Sequence, residues 1–221
     1  GVSNMVMGTN QFRWTVNWNG CSSYDDVIVI YNVAESNAGI DQTLCANSTT
    51  LDAQPPIFGT GRWSVIQGNG TIQNPSQNNT QVTNLAKGVN IFRWTVTAYE
   101  IQAYDDVSIT NNLFDLYAGP DQSTCNNYVN LNGEEPGPGG FGSWYIQLGS
   151  GNFSDNSLPN PQVTNIFVGT SKYIWEVYRN GCSATDTVSV LRYQPPTTSN
   201  AGADAVVCNT SNTYLLGNIP T

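Results

Sequence analysis

The 221-residue chain contains no histidine. That one absence removes imidazole acid–base chemistry, the Ser-His-Asp and Cys-His nucleophiles, and His-ligated zinc. Basic residues are scarce as well, with 7 Lys and Arg against 16 Asp and Glu, a formal net charge of −9 and a pI near 4.1. Nucleic-acid binding draws most of its affinity from cations that neutralise phosphates, so a nucleic-acid partner is excluded. An anionic membrane surface would repel the chain for the same reason. No run of about 18 apolar residues is present, so no direct membrane insertion is expected. The chain opens at Gly1 without a charged and then apolar leader, and any export signal is expected outside this stretch.

What is abundant points to β structure. Asn, Gln, Ser, Thr and Gly dominate the polar fraction, only 10% of residues are charged, and 11% are aromatic alongside many Val and Ile.

The sequence also repeats itself. Phe12-Arg13-Trp14-Thr15-Val16 returns as Phe92-Arg93-Trp94-Thr95-Val96 and again as Tyr173-Ile174-Trp175-Glu176-Val177, a period of about 80 residues. Ala38-Gly39-Ile40-Asp41 returns as Ala118-Gly119-Pro120-Asp121 and Ala201-Gly202-Ala203-Asp204, each followed by Cys45, Cys125 or Cys208. Gln81-Val82-Thr83-Asn84 matches Gln162-Val163-Thr164-Asn165. The expected division is the C-terminal part of a repeat at 1–34, complete repeats at 35–113 and 114–194, and the N-terminal stub of a further repeat at 195–221. A stub with one or two strands cannot bury an apolar face alone, so a longer parent chain is expected.

Within each repeat, large side chains alternate. Phe92, Trp94 and Val96 share one face and Arg93 and Thr95 the other, the period-two signature of a half-buried strand. The next strand alternates likewise at Val107 and Ile109, or Val188 and Val190, and Asn180-Gly181 is a hairpin turn. Six to eight short strands per 80 residues, punctuated by Gly, Pro and Asn, predict an all-β chain of tandem immunoglobulin-like antiparallel β-sandwiches. Trp14, Trp63, Trp94, Trp144 and Trp175 fall at two recurring positions, on strands expected to face each other across the core.

The opening run Ala118-Gly119-Pro120-Asp121-Gln122 and the hairpin Asn180-Gly181-Cys182-Ser183-Ala184-Thr185-Asp186-Thr187-Val188 resemble the PKD-type immunoglobulin-like repeats of Bacteroidetes surface proteins. The resemblance covers nearly the whole chain. Tandem copies with paired cysteines and few charges further resemble the giant gliding-motility adhesins of flavobacteria, the SprB type. It implies a PKD-like fold, export by type 9 secretion, and an extracellular, bacterial cell-surface, outer-membrane-associated location.

Five cysteines occupy two recurring positions, early (Cys45, Cys125, Cys208) and late (Cys21, Cys182), with Ile101 at the late position of the middle copy. Two pairings suit this pattern: Cys125 to Cys182 within a repeat, or Cys21 to Cys45 and Cys182 to Cys208 between neighbours. A disulfide needs Cα atoms within about 7 Å. Cys21 begins a strand of about ten residues that carries the chain about 33 Å away before the next repeat starts. The within-repeat bridge Cys125–Cys182 is therefore expected, worth about 4 kcal/mol by loop closure, and it implies an oxidising compartment.

Other candidate sites are sparse. Asp41 and Asp121, with Asp105 and Asp186, would offer oxygen ligands to Ca²⁺ at a junction, although no D-x-D-x-D loop accompanies them and no other cofactor is implied. Glu134-Glu135 reads as a solvated turn. Trp18 is replaced by Ala98 and Arg179 in the other copies, so the fold does not require a ring there and a ligand-binding role is open to it.

With no nucleophile, metal cluster or phosphate loop to assemble, no enzyme is expected. The sequence reads as a non-enzymatic repeat segment of a large secreted bacterial surface adhesin or filament, a stalk or adhesive array serving gliding motility. Its partners would be neighbouring repeats of the same chain and surface polysaccharide or other cell-surface components. The alternative is a carbohydrate-binding accessory module of a secreted hydrolase, which requires a row of exposed aromatics, hinted at only by Trp18, Tyr24 and Tyr104.

Overall fold

The computed structural model describes residues 1–208 and 212–219, so the last two residues of the expected 195–221 stub, and 209–211 within it, lie outside the described residues. The chain separates into two compact units, Gly1–Phe114 and Asp115–Thr221.

In the first unit, β1 (Gly8–Trp18) and β2 (Cys21–Tyr31) form a two-stranded antiparallel sheet. Seven strands follow: β3 (Gln42–Leu44), β4 (Thr49–Asp52), β5 (Thr60–Gln67), β6 (Thr71–Ile72), β7 (Asn79–Thr83), β8 (Gly88–Ala98) and β9 (Ile101–Asn111). They make a four-stranded sheet of order β3-β9-β8-β5 and a three-stranded sheet of order β4-β7-β6. The second unit repeats this order with β10 (Gln122–Thr124), β11 (Tyr128–Asn130), β12 (Phe141–Leu148), β13 (Asn152–Phe153), β14 (Gln162–Thr164), β15 (Gly169–Arg179) and β16 (Cys182–Arg192), as β10-β16-β15-β12 and β11-β14-β13. All pairings are antiparallel except β3 with β9 and β10 with β16. No helix among the described residues is long and apolar enough to cross a membrane. The fold is the all-β, immunoglobulin-like sandwich that the alternation predicts.

The core lies between the two sheets of each sandwich. In β8 every second residue, Asn90, Phe92, Trp94, Val96 and Ala98, is buried, and Leu51, Val82, Val107 and Ile109 close on them. Tyr173, Trp175, Val177, Val188, Val190, Leu131 and Val163 do the same in the second unit. The recurring pair of tryptophans does not face itself across the seam, contrary to expectation. Trp63 and Trp94 are register partners on adjacent strands of one sheet, with ring centroids 5.1 Å apart, as are Trp144 and Trp175. Trp14 departs further from the expected core role: it is 74% exposed, because β1 and β2 form a sheet of two strands with no facing layer among the described residues.

The long hairpins close through residues with positive φ. Asn19-Gly20 has φ of 50° and 80°, and Asn180-Gly181 has 50° and 77°, the geometry that suits the twist of the strands. The β8–β9 hairpin instead places Tyr99 at φ 56°, a conformation costly for a bulky side chain. Restoring the sequence of the other hairpins, Tyr99→Asn with Glu100→Gly, should stabilise the first unit by about 1 kcal/mol and raise its melting temperature by several degrees. Calorimetry showing no gain would mean the turn is unstrained.

The described residues of 200–208 and 212–218 form no strand but keep the opening loop of the complete repeats. The Asn218 N–H donates to Asn200 O at 2.9 Å, as Gln54 N–H does to Asn37 O at 2.9 Å and Glu134 N–H to Tyr117 O at 2.8 Å. Gly202, Gly119 and Gly39 share φ values of 87°, 91° and 89°. A side chain at any of them would press on the facing carbonyl of Leu216, Asn132 or Asp52.

Candidate functional site

The acidic residues singled out in the sequence serve as clasps within each sandwich. The Ala38 N–H donates to Asp105 Oδ2 at 2.8 Å and the Ser108 N–H to Asp41 Oδ1 at 2.9 Å. In the second unit the Ala118 N–H donates to Asp186 Oδ2 at 2.9 Å and the Ser189 N–H to Asp121 Oδ1 at 2.8 Å. Each pair fastens the opening segment of a repeat to its last long strand. Among the described residues no group of three or more metal-ligating side chains forms.

The cysteines contradict the expected bridge. Cys45 and Cys182 are disulfide-bonded, whereas Cys125 is a free, exposed thiol, as are Cys21 and Cys208. The register explains why Cys125 and Cys182 cannot join. β10 runs parallel to the far end of β16, with Thr124 opposite Arg192 and the Tyr193 N–H donating to Thr124 O at 2.8 Å. Cys182 begins β16 ten residues earlier, about 33 Å away along an extended strand, well beyond disulfide reach. Early and late cysteines therefore sit at opposite poles of a sandwich. Without reductant, iodoacetamide should modify Cys21, Cys125 and Cys208 and spare Cys45 and Cys182, which should react only after reduction. Protection of Cys125 before reduction, read by peptide mass mapping, would contradict this assignment.

Trp18 is 77% exposed at the end of β1, but it shares its face with Phe12, Trp14 and Val16, the face that complete repeats bury. Its exposure is that of an uncovered core face. Tyr24 and Tyr104 are occupied from within. The Arg13 guanidinium lies 3.8 Å from the Tyr24 ring centroid and pairs with Asp26 through Nε at 2.8 Å. Arg93 repeats the arrangement over Tyr104 at 3.9 Å, pairing with Asp106 at 2.7 Å. The arginine hydrogen bonds hold the Asp26 and Asp106 carboxyls below the usual carboxylate range, against a small opposing effect of burial. Stability from these pairs is present above the ordinary carboxylate pKa and lost as pH falls through the lowered value; solvent screening keeps it small.

One open cleft of the first unit, about 450 Å³, is lined by Met7, Glu35, Pro56, Phe58, Val96 and Tyr104 among others. Glu35 is its only carboxylate, so it lacks the facing pair that glycoside hydrolysis requires.

The residues that sequence reasoning passed over lie on the outer face of the β12–β15 pair. Phe141 and Tyr178 are register partners with ring centroids 5.4 Å apart and planes inclined by 16°. They are 67% and 41% exposed, and Tyr145, on the same face, is 47% exposed. The Tyr178 hydroxyl donates to Glu176 Oε1 at 2.8 Å, and this hydrogen bond raises the Tyr178 pKa. The signal available beforehand was the mismatch between copies: the same four places in the preceding repeat are Thr60, Ser64, Thr97 and Thr95.

No curated protein sequence matches the chain. Solved structures similar to it include the D00-D0 domain of intimin, 11% identical over 73% of this chain and 100% of that one, with a TM-score of 0.41. Extracellular domains 3–5 of Drosophila OTK are 10% identical over 86% of this chain and 73% of that one, with a TM-score of 0.39. The titin I-band fragment I67–I69 is 13% identical over 74% of this chain and 66% of that one, with a TM-score of 0.34. Residues 38–110, most of one repeat, match the family described as K319L-like, PKD domain.

Proposed function

We propose that the chain is a non-enzymatic extracellular segment built of adhesive or spacer repeats, divided as 1–34, 35–113, 114–194 and 195–221. The observation that carries this reading is the recurrence of one seven-strand sandwich with the same strand order, the same aspartate clasps and the same pair of buried tryptophans in both complete copies. A pair of disulfide-bonded cysteines suits an oxidising compartment. The PKD-like match over 38–110 is of the same kind.

In its finer form the proposal makes the chain part of a stalk or filament of a bacterial surface adhesin, exported by type 9 secretion, outer-membrane associated and serving gliding motility. Support for that form is the resemblance of the opening and hairpin motifs.

The test is mechanical. With disulfides reduced, pulling on the ends should unfold the two complete sandwiches in separate events, each releasing about 250 Å of contour length, the reach of some 70 extended residues. A single event for the whole chain would overturn the reading of independent repeats. Turnover of a glycoside, peptide or ester substrate by the purified chain would overturn its non-enzymatic character.

A further inference from the structure

We propose that the outer face of β12 and β15 is a binding site for a neutral polysaccharide, centred on Phe141 and Tyr178 and extending to Tyr145. The proposal deepens the adhesive reading by naming a ligand class.

Packing does not account for these rings. Phe141, Tyr145 and Tyr178 point away from the core of the second unit, whose inner face is formed by Trp144, Tyr173, Trp175 and Val177. The first sandwich keeps the same strand order and register with Thr60, Ser64 and Thr97 in their places. An isolated exposed aromatic needs no explanation, but three on one face of two paired strands form a patch that does.

The chemistry of the patch selects its occupant. Rigid rings offer apolar contact to the C–H faces of a pyranose with little loss of side-chain entropy. Glu176, held beside Tyr178, and Glu135, at the rim, supply acceptors for sugar hydroxyls. Phe141 also borders an open groove of about 560 Å³ walled by Pro136, Pro138 and Leu158, the combination of apolar walls and few polar groups that suits a small ligand. Phe141 and Tyr145 are four residues apart on one face of β12, about 13 Å in an extended strand, so a chain ligand would meet more than one ring. Arg179 is the one cation beside the groove among the described residues. Arg179 donates to Pro136 O at 3.4 Å, and Lys172 lies six residues along β15 from Tyr178. Glu176 beside Tyr178 and Glu135 at the groove rim outnumber that one guanidinium, so a uronic or sulfated glycan would be disfavoured relative to a neutral one.

The decisive variant is Phe141→Thr with Tyr178→Thr, because the first repeat already folds with threonine at both places. Affinity gel electrophoresis of the full chain through soluble xylan, mixed-linkage β-glucan and mannan should show retardation by at least one of them and none by alginate. The double variant should lose at least tenfold in affinity with an unchanged circular dichroism spectrum, while Trp18→Ala should bind as the parent does. Absence of retardation by every neutral polysaccharide, or equal retardation of the double variant, would overturn the site. Capture of a basic protein in place of any glycan would overturn it in favour of a protein partner. These failures leave the mechanical test of the repeat reading untouched, so the two ideas fail separately.

Discussion

Replacing Trp175 with alanine should cost the second sandwich about 3–5 kcal/mol, the range for truncating a fully buried large aromatic. Trp175 is 0% exposed, stacks on Trp144 at 5.1 Å, and donates its indole N–H to Glu134 O at 2.9 Å. A domain of about 80 residues has only some 4–12 kcal/mol to lose. The variant should therefore melt at least 12 °C lower or fail to fold at 37 °C. Phenylalanine distinguishes the two copies. Trp94 is equally buried, but its Nε1–H has no partner among the described residues, so Trp94→Phe removes no hydrogen bond, whereas Trp175→Phe removes the one to the Glu134 carbonyl. Urea denaturation should place Trp175→Phe below Trp94→Phe by about 1 kcal/mol. A loss under about 1 kcal/mol for Trp175→Ala would mean that the paired tryptophans are not the core's main buried surface.

A methyl group added at Gly142 should be nearly as harmful. Its Cβ would lie 2.4 Å from Trp175 Cη2, and at Gly61 the corresponding atom would lie 1.9 Å from Trp94 Cζ2. Neither glycine has a positive φ, so the requirement is one of space: the strand beside each tryptophan must be bare for the ring to lie flat on it. Overpacking a filled core costs about 1–3 kcal/mol, and Gly142→Ala and Gly61→Ala should reach at least the upper end, because the atom that must move is an immobile buried ring. The two sites couple. Combining Gly142→Ala with Trp175→Phe should recover part of the loss relative to the sum of the single variants. Strict additivity would show that the clash is relieved elsewhere.

Much of this architecture was legible in the chain. Alternation in the Phe-Arg-Trp-Thr-Val segments gave the long strands and their buried face, because a half-buried strand imposes a period of two. Asn180-Gly181 marked a hairpin, because few other pairs accept positive φ twice. The repeat offset aligned the copies without reference to any structure. The cysteine bridge was misread for want of topology. Spacing along the chain does not reveal that β10 returns parallel to the far end of β16, and that detail places Cys125 and Cys182 at opposite poles. Likewise, two tryptophans at fixed positions in each repeat read equally well as partners across the seam or as neighbours in one sheet, and register alone separates these.

The binding face was hidden for a different reason. Outward-facing residues answer to solvent and carry no periodic constraint, so Phe141, Tyr145 and Tyr178, scattered over two strands, looked like ordinary strand aromatics until pairing brought them together. Local alternation, turn chemistry and recurrence, which depend on neighbouring residues, were set by the amino-acid order alone, and with them the all-β sandwich and its core. Cysteine partners, tryptophan stacking and the assembly of a surface site depend on residues far apart in sequence becoming adjacent, which only strand order and register decide.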